Sequence, residues 1–212
     1  MIGRKQVAVQ DYKDGKYYQK MKNSIKNIAA LVFVSFIVFS FVTKKSDRKN
    51  IKVSESKVVW KGYKVTGAHE GMLSIKSGQL NFDKEIFTGG SFKMDMSTIT
   101  VTDLEGEYKS KLEGHLKSDD FFGVEKFPTA SLVFTKVKFT SKNSYEVTGD
   151  LTIKGKKNVI TFKVSIYGNK ANATLKIDRT KFGVRYGSGN FFDGLKDKAI
   201  YDEFDLVVDL VF

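Results

Sequence analysis

Cysteine is absent from the chain, histidine occurs only twice, and proline and tryptophan occur once each. Without cysteine there is no disulfide framework, no thiolate metal site, no cysteine nucleophile and no acylated-cysteine lipid anchor. The fold therefore holds by packing and hydrogen bonding alone. The absence does not assign a compartment, because an exported bacterial-type domain can do without disulfides. The two histidines, His69 and His115, lie far apart, with no H-x-H or H-x-x-x-H spacing to put ligands on one face. No metal and no cofactor is expected.

Acidic residues are too few to balance the basic ones, which leaves a formal charge of +12. Residues 1–50 hold eleven Lys or Arg against three Asp or Glu, and the remainder holds 25 against 21. Most of the excess thus lies outside the globular part, where acids and bases are interspersed, and a nucleic-acid partner is not expected. With 41% hydrophobic and 13% aromatic residues, the 212 residues suffice for one domain with a sizeable core.

Only one long apolar run is present: IAALVFVSFIVFSFV, residues 28–42, preceded by Lys22 and Lys26. Fifteen residues are short for a spanning helix, which needs about 20, and suit the core of a signal peptide. Read from Met21, the chain begins as a signal peptide does, so residues 1–20 are expected to be a short extension or the product of an over-early start. Lys44, Lys45, Arg48 and Lys49 follow closely and oppose easy translocation, which keeps an uncleaved inner-membrane anchor open beside cleavage. Residues 44–53 then read as a basic linker. Either reading puts the rest of the chain in the periplasm.

From Ile51 onward, segments rich in Val, Ile, Thr, Phe and Tyr recur between Gly, Asn and Asp, the pattern of an all-β domain. Phe204, Leu206, Val208, Leu210 and Phe212 fall on one face, with Asp205 and Asp209 marking the other, as in a half-buried strand. The same period appears over 92–96 and 145–153, and further strands are predicted over 57–65, 71–75, 79–82, 130–139, 158–167 and 171–177. Eight or nine such strands can close into an antiparallel barrel wide enough for side chains or one small ligand. One segment breaks the period: Thr102 to Glu105 has capping-box spacing, and Leu104, Tyr108, Leu112 and Leu116 repeat every four residues as a helical stripe. That helix and the loop after it read as a cap, with Phe121, Phe122 and Phe127 as its apolar plug.

His115, followed by Asp119 and Asp120, has the look of half a nucleophile-activating arrangement, but no turn specifies a nucleophile. A structural role or a contact with a ligand head group fits it better than general-base catalysis. The glycines at 89–90 and 187–189 suit turns rather than phosphate loops. Arg179 is expected to make a structural salt bridge in preference to meeting an anionic ligand.

These pieces together resemble the YceI family of exported lipid-binding proteins. The resemblance rests on Val59-Trp60 with GAHEG (67–71), GGSFKMDM (89–96), HLKSDDFFGVEKFPTA (115–130), GDLTIKG (149–155) and DRTKFGVRYGSG (178–189), and spans about residues 54–212. It implies a lipocalin-like barrel with a helical cap, binding a long isoprenoid or related amphiphile without catalysis. Wall candidates are Trp60, Phe82, Phe92, Met94, Leu132 and Phe134, then Leu151, Ile153, Phe162, Phe182 and Leu206, with His115, Phe121 and Phe122 from the cap. Two other readings stay open: a hydrolase or isomerase acting on such a lipid through His115 with Asp119 or Asp120, and a ligand-free structural barrel. A homodimer is compatible with all three. Two departures from the family pattern are Lys196, where a small residue is expected, and the extension before the export segment.

Overall fold

The computed structural model describes residues 47–212. The extension, the expected signal peptide or anchor, and the start of the basic linker lie outside the described residues. Among those described, no helix is long and apolar enough to cross a membrane.

The described residues form nine strands and one α-helix: β1 (Asp47–Asn50), β2 (Lys57–Lys64), β3 (Gly67–Asp83), β4 (Ile86–Val101), α1 (Gly106–Lys117), β5 (Thr129–Ser141), β6 (Ser144–Ile153), β7 (Lys156–Tyr167), β8 (Lys170–Asp178) and β9 (Ile200–Val211). Every pairing is antiparallel. β2 pairs with β9, and the neighbours then run down in number to β4, which pairs with β3, which returns to β2. Eight strands thus close an antiparallel barrel with no free edge in the ring. β1 is the extra strand: it pairs with residues 79–82 of β3 while β2 pairs with residues 67–72, so the two lie end to end along one side of β3. Residues 47–50 of the stretch expected to be a basic linker therefore enter the sheet.

Alternation decides which face is inside. In β8, Ala171, Leu175 and Ile177 are buried while Asn172, Thr174 and Lys176 are exposed, and in β6 Val147, Leu151 and Ile153 are buried. β3 and β4 are far longer than the segments their period suggests, because bulges at Met72/Ser74 and Ile75/Ser77 interrupt the alternation while the ladder continues.

Both long connections, 102–128 and 179–199, lie at one end of the barrel with the β2–β3 and β6–β7 turns, and the other end carries only the short β3–β4, β5–β6 and β7–β8 turns. α1 begins after Glu105, whose side chain makes no capping bond, so the expected capping box does not form. Asp103 instead accepts a hydrogen bond from the Glu70 N–H at 3.2 Å and pairs with His69 Nδ1 at 2.9 Å, tying the connection to β3. Tyr108, expected in the apolar stripe, is 76% exposed; Leu116 is the buried member, with Leu104 and Leu112 half-buried. Glu113 accepts from the Val101 N–H at 2.9 Å and fixes the helix to the end of β4. In the following loop, Lys154 donates to the carbonyls of Asp119 and Phe121, at 2.6 and 2.9 Å, which fastens the loop to the β6–β7 turn.

Candidate functional site

Two adjoining cavities occupy the barrel interior, an inner one of ≈ 90 Å³ and an outer one of ≈ 110 Å³. Leu73, Met94, Ala130, Leu151, Ile177 and Leu206 line both and form the waist between them. The inner wall presents no polar surface and the outer wall almost none. Water in such a space finds too few partners, so apolar atoms are the occupant it suits.

Of the predicted wall residues, Phe92, Leu132, Phe134 and Phe162 line the inner cavity, and Trp60, Ile153, Phe121 and Phe122 the outer one. Met94, Leu151 and Leu206 belong to both. Phe82 and Phe182 line neither. Phe82 packs against Phe87 and Phe212, with centroids 5.7 and 5.6 Å away, and seals the short-turn end of the barrel. Phe182 is buried in the tight turn that begins the 179–199 connection. Phe127, expected in the plug, lies outside the cavities over Gly123 and Gly155.

Trp60 owes its place to Gly71. The two are partners across β2 and β3, and a Cβ on Gly71 would lie 1.7 Å from the Thr100 carbonyl oxygen and 2.8 Å from the indole. The bare backbone lets the ring lie flat, and its Nε1–H donates to Thr100 O at 3.0 Å. The residues that give the interior its room are small or unremarkable: Ala130, Ala171 and Ala173, with Leu73 and Ile177.

His115 does not reach either cavity. Its ring packs edge-on between Tyr186 and Phe121, with centroids 4.4 and 5.5 Å away. Asp119 is held by Lys126, which keeps its carboxyl below the usual carboxylate range. Among the described residues no hydrogen bond joins His115 to Asp119 or Asp120, so the pairing that a His115-based reaction needs is not formed. Among the same residues no cluster of three or more His, Asp or Glu could hold a metal. The histidine–carboxylate pair that does form is His69–Asp103. Burial pulls the Asp103 carboxyl up, but the hydrogen bonds from His69 and from backbone N–H groups outweigh it and leave it low.

At its outer end the cavity shares Tyr63, Ile200 and Tyr201 with a more polar surface depression of ≈ 470 Å³. The Tyr63 hydroxyl donates to Asp205 Oδ2 at 2.6 Å, and Lys176 stands 3.2 Å from Asp205 Oδ1. That hydrogen bond raises the Tyr63 pKa and lowers that of Asp205. Arg179, 2% exposed, crosses beneath the depression and donates to the carbonyls of Val184, Ile200 and Tyr201 at 2.9, 3.0 and 3.1 Å. Burial lowers its pKa, with Asp202 and Asp178 opposing. The expected salt bridge is present but loose, 3.5 Å to Asp202 Oδ1; the three carbonyls are its main partners.

The arrangement has counterparts among known proteins. Residues 50–212 match the YceI-like domain. A UPF0312 protein of Pseudomonas putida strain W619 is 33% identical over 132 residues, 56% of this chain and 68% of the relative. A UPF0312 protein of Shewanella denitrificans is 31% identical over 98 residues, 46% of this chain and 49% of that one. The crystal structure of BcnA from Burkholderia cenocepacia superposes with a TM-score of 0.62 at 24% identity, over 76% of this chain and 99% of that one. A polyisoprenoid binding domain from Saccharophagus degradans superposes with a TM-score of 0.54 at 11% identity, over 78% and 97%. The last two share the fold, and with the family match over the whole barrel the chain belongs to the YceI-like family.

Proposed function

We propose that the barrel binds the hydrophobic tail of a long-chain isoprenoid or related amphiphile, without catalysis, and serves as its carrier or store. The observation that carries this reading is the two-lobed apolar interior with a more polar depression beside its outer end, an arrangement that suits an amphiphile's tail and head respectively. The similarity of fold to a polyisoprenoid binding domain supports the choice of tail. Each methylene moved from water to the wall contributes about 0.8 kcal/mol. Association itself costs about 4–15 kcal/mol, which the burial of roughly 5–19 methylenes offsets, so a long tail is favoured over a short one. Met94 at the waist is unbranched and adaptable, which suits a wall that must fit a branched chain.

The chain's single tryptophan lines the outer cavity and is a built-in reporter. Titration with an isoprenoid quinone, which quenches indole emission on contact, is expected to quench Trp60 saturably at one ligand per barrel. Quenching no stronger than that of free tryptophan would overturn the proposal. The same reading places the barrel in the periplasm, supported by the apolar run 28–42 and the basic residues before it. Cell fractionation checks this, and recovery of the barrel in the cytoplasm contradicts it.

A further inference from the structure

The connection between β8 and β9, residues 179–199, carries apolar surface that the barrel does not use. Phe191 and Phe192 are adjacent and 44% and 51% exposed, and Tyr186 on the same connection and Tyr201 just after it are 48% and 55% exposed. Isolated exposed apolar side chains are ordinary, but neighbouring exposed aromatics on one loop mark a contact surface. The two phenylalanines are held in place: both backbone N–H groups donate to the carbonyl of Ser188, at 3.1 and 3.0 Å, and Ser188 is fully buried. Asn190 braces the same turn by donating to Asp202 Oδ2 at 2.6 Å. The rings are therefore presented by a built turn.

On this connection the exposed cations outnumber the anions, while Asp202 and Glu203 stand beside it at the start of β9. Lys181, Arg185, Lys196 and Lys198 are exposed on this connection against Asp193 and Asp197. The Arg185 guanidinium lies 4.4 Å from the Phe191 ring centroid. Lys196 has φ of +50°, a left-handed conformation that glycine adopts freely and that strains a residue with a side chain by about 1 kcal/mol. The chain keeps an exposed lysine there at the expense of local stability. The connection also adjoins the mouth: Gly189 and Asn190 line the polar depression beside Ile200 and Tyr201, which reach into the outer cavity.

We propose that this connection docks the barrel on an anionic lipid bilayer. Phe191 and Phe192 enter the boundary between head groups and acyl chains, flanked by Tyr186 and Tyr201 at head-group depth. Arg185, Lys196 and Lys198 meet the lipid phosphates. Aromatics beside exposed cations are the combination that such an interface rewards. Docked this way, the mouth faces the bilayer, so an amphiphile passes between membrane and barrel without crossing water. That consequence rests on the proposed lipid-binding role; the docking does not.

The test uses residues 45–212, a unit that contains the whole barrel and its core, so the apolar run at 28–42 cannot itself bind lipid. Co-sedimentation is measured with vesicles of phosphatidylglycerol and phosphatidylcholine in equal parts, and with phosphatidylcholine alone. The barrel is expected to bind the mixed vesicles and to bind pure phosphatidylcholine more weakly. F191S/F192S is expected to weaken binding at least about tenfold with an unchanged melting temperature. K196G is expected to weaken binding to the mixed vesicles about fivefold while melting no lower, because it relieves the left-handed strain. I86S, at the opposite end of the barrel and 62% exposed in the parent, is expected to change nothing. A parent that ignores the mixed vesicles, or an F191S/F192S variant that binds them equally well, overturns the proposal. So does a parent dimer that F191S/F192S dissociates without any vesicle binding, which would make a second copy the occupant of this face. The two proposals fail separately: a barrel that quenches with quinone but ignores vesicles refutes only docking, and one that binds vesicles but takes up no quinone refutes only the lipid-binding role.

Discussion

Ala130→Leu separates a ligand cavity from an imperfectly packed core. Ala130 is 6% exposed, sits opposite Met94 where β5 joins β4, and lines both cavities at their waist. Leucine adds three carbons there. In a filled core such an insertion costs about 1–3 kcal/mol through forced rotamers and backbone shifts. Here the space is already present, and burying the added carbons at about 0.8 kcal/mol each stabilises the ligand-free barrel by up to about 2 kcal/mol. For a domain of this size that raises the melting temperature by roughly 4–8 °C. The same atoms displace an equal length of ligand tail, so affinity falls by about 2 kcal/mol, or roughly 30-fold. Thermal unfolding of the delipidated protein reads the first effect, and quenching of Trp60 by an isoprenoid quinone reads the second. A lower melting temperature with unchanged affinity would refute the reasoning, because it would show that the waist is packed and the tail goes elsewhere.

Gly71→Ala puts a methyl group within 1.7 Å of the Thr100 carbonyl oxygen and is expected to lower stability by more than about 3 kcal/mol, with a red shift of Trp60 emission as the indole is displaced. Arg179→Met removes the donors to three backbone carbonyls, one of them buried, and leaves Asp202 without its cation, an expected loss of about 3–5 kcal/mol in urea unfolding. His115→Ala is expected to cost about 1 kcal/mol of aromatic packing and to leave the quinone titration unchanged; loss of uptake would return His115 to the site. The Asp205 carboxyl is held low chiefly by the Tyr63 hydroxyl. Its contribution is therefore complete above the ordinary carboxylate value of about 3.9 and is lost as pH falls through the lower folded value. Tyr63→Phe should accordingly flatten the stability profile below about pH 4 and change its shape little near neutrality.

Much of the barrel could be read from period-two alternation, because most strands keep one face on the interior throughout. β9 shows this from Phe204 to Leu210, and β6 from Val147 to Ile153. β3 could not be read whole: its bulge at 75/77 moves the inward face from Gly71 and Ile75 to Leu80 and Phe82, so one strand of 17 residues looks like two short ones. The same alternation placed Met94, Leu132, Phe134, Leu151 and Leu206 on the wall. It could not distinguish a wall residue from one that closes the end, and Phe82 is of the second kind. Bulk was also a poor guide to a cavity, since the space exists where residues are small, as at Ala130, Ala171 and Ala173. His115 beside Asp119 and Asp120 suggested chemistry by adjacency, but Lys126 takes Asp119 and aromatic rings take the imidazole. Arg179 was recognisable as structural, although its backbone carbonyl partners could not be foreseen. They come from the 179–199 connection and the first residues of β9, whose course depends on tertiary packing.

The central claim is that the barrel interior is a place for a hydrophobic tail. Native mass spectrometry of the protein purified from its membrane-containing source, followed by solvent extraction and identification of the released lipid, tests it most directly. The account predicts a single bound amphiphile with a long isoprenoid-type tail, lost on delipidation and taken up again from added lipid at one per barrel. A protein that carries no lipid and takes none up would contradict it.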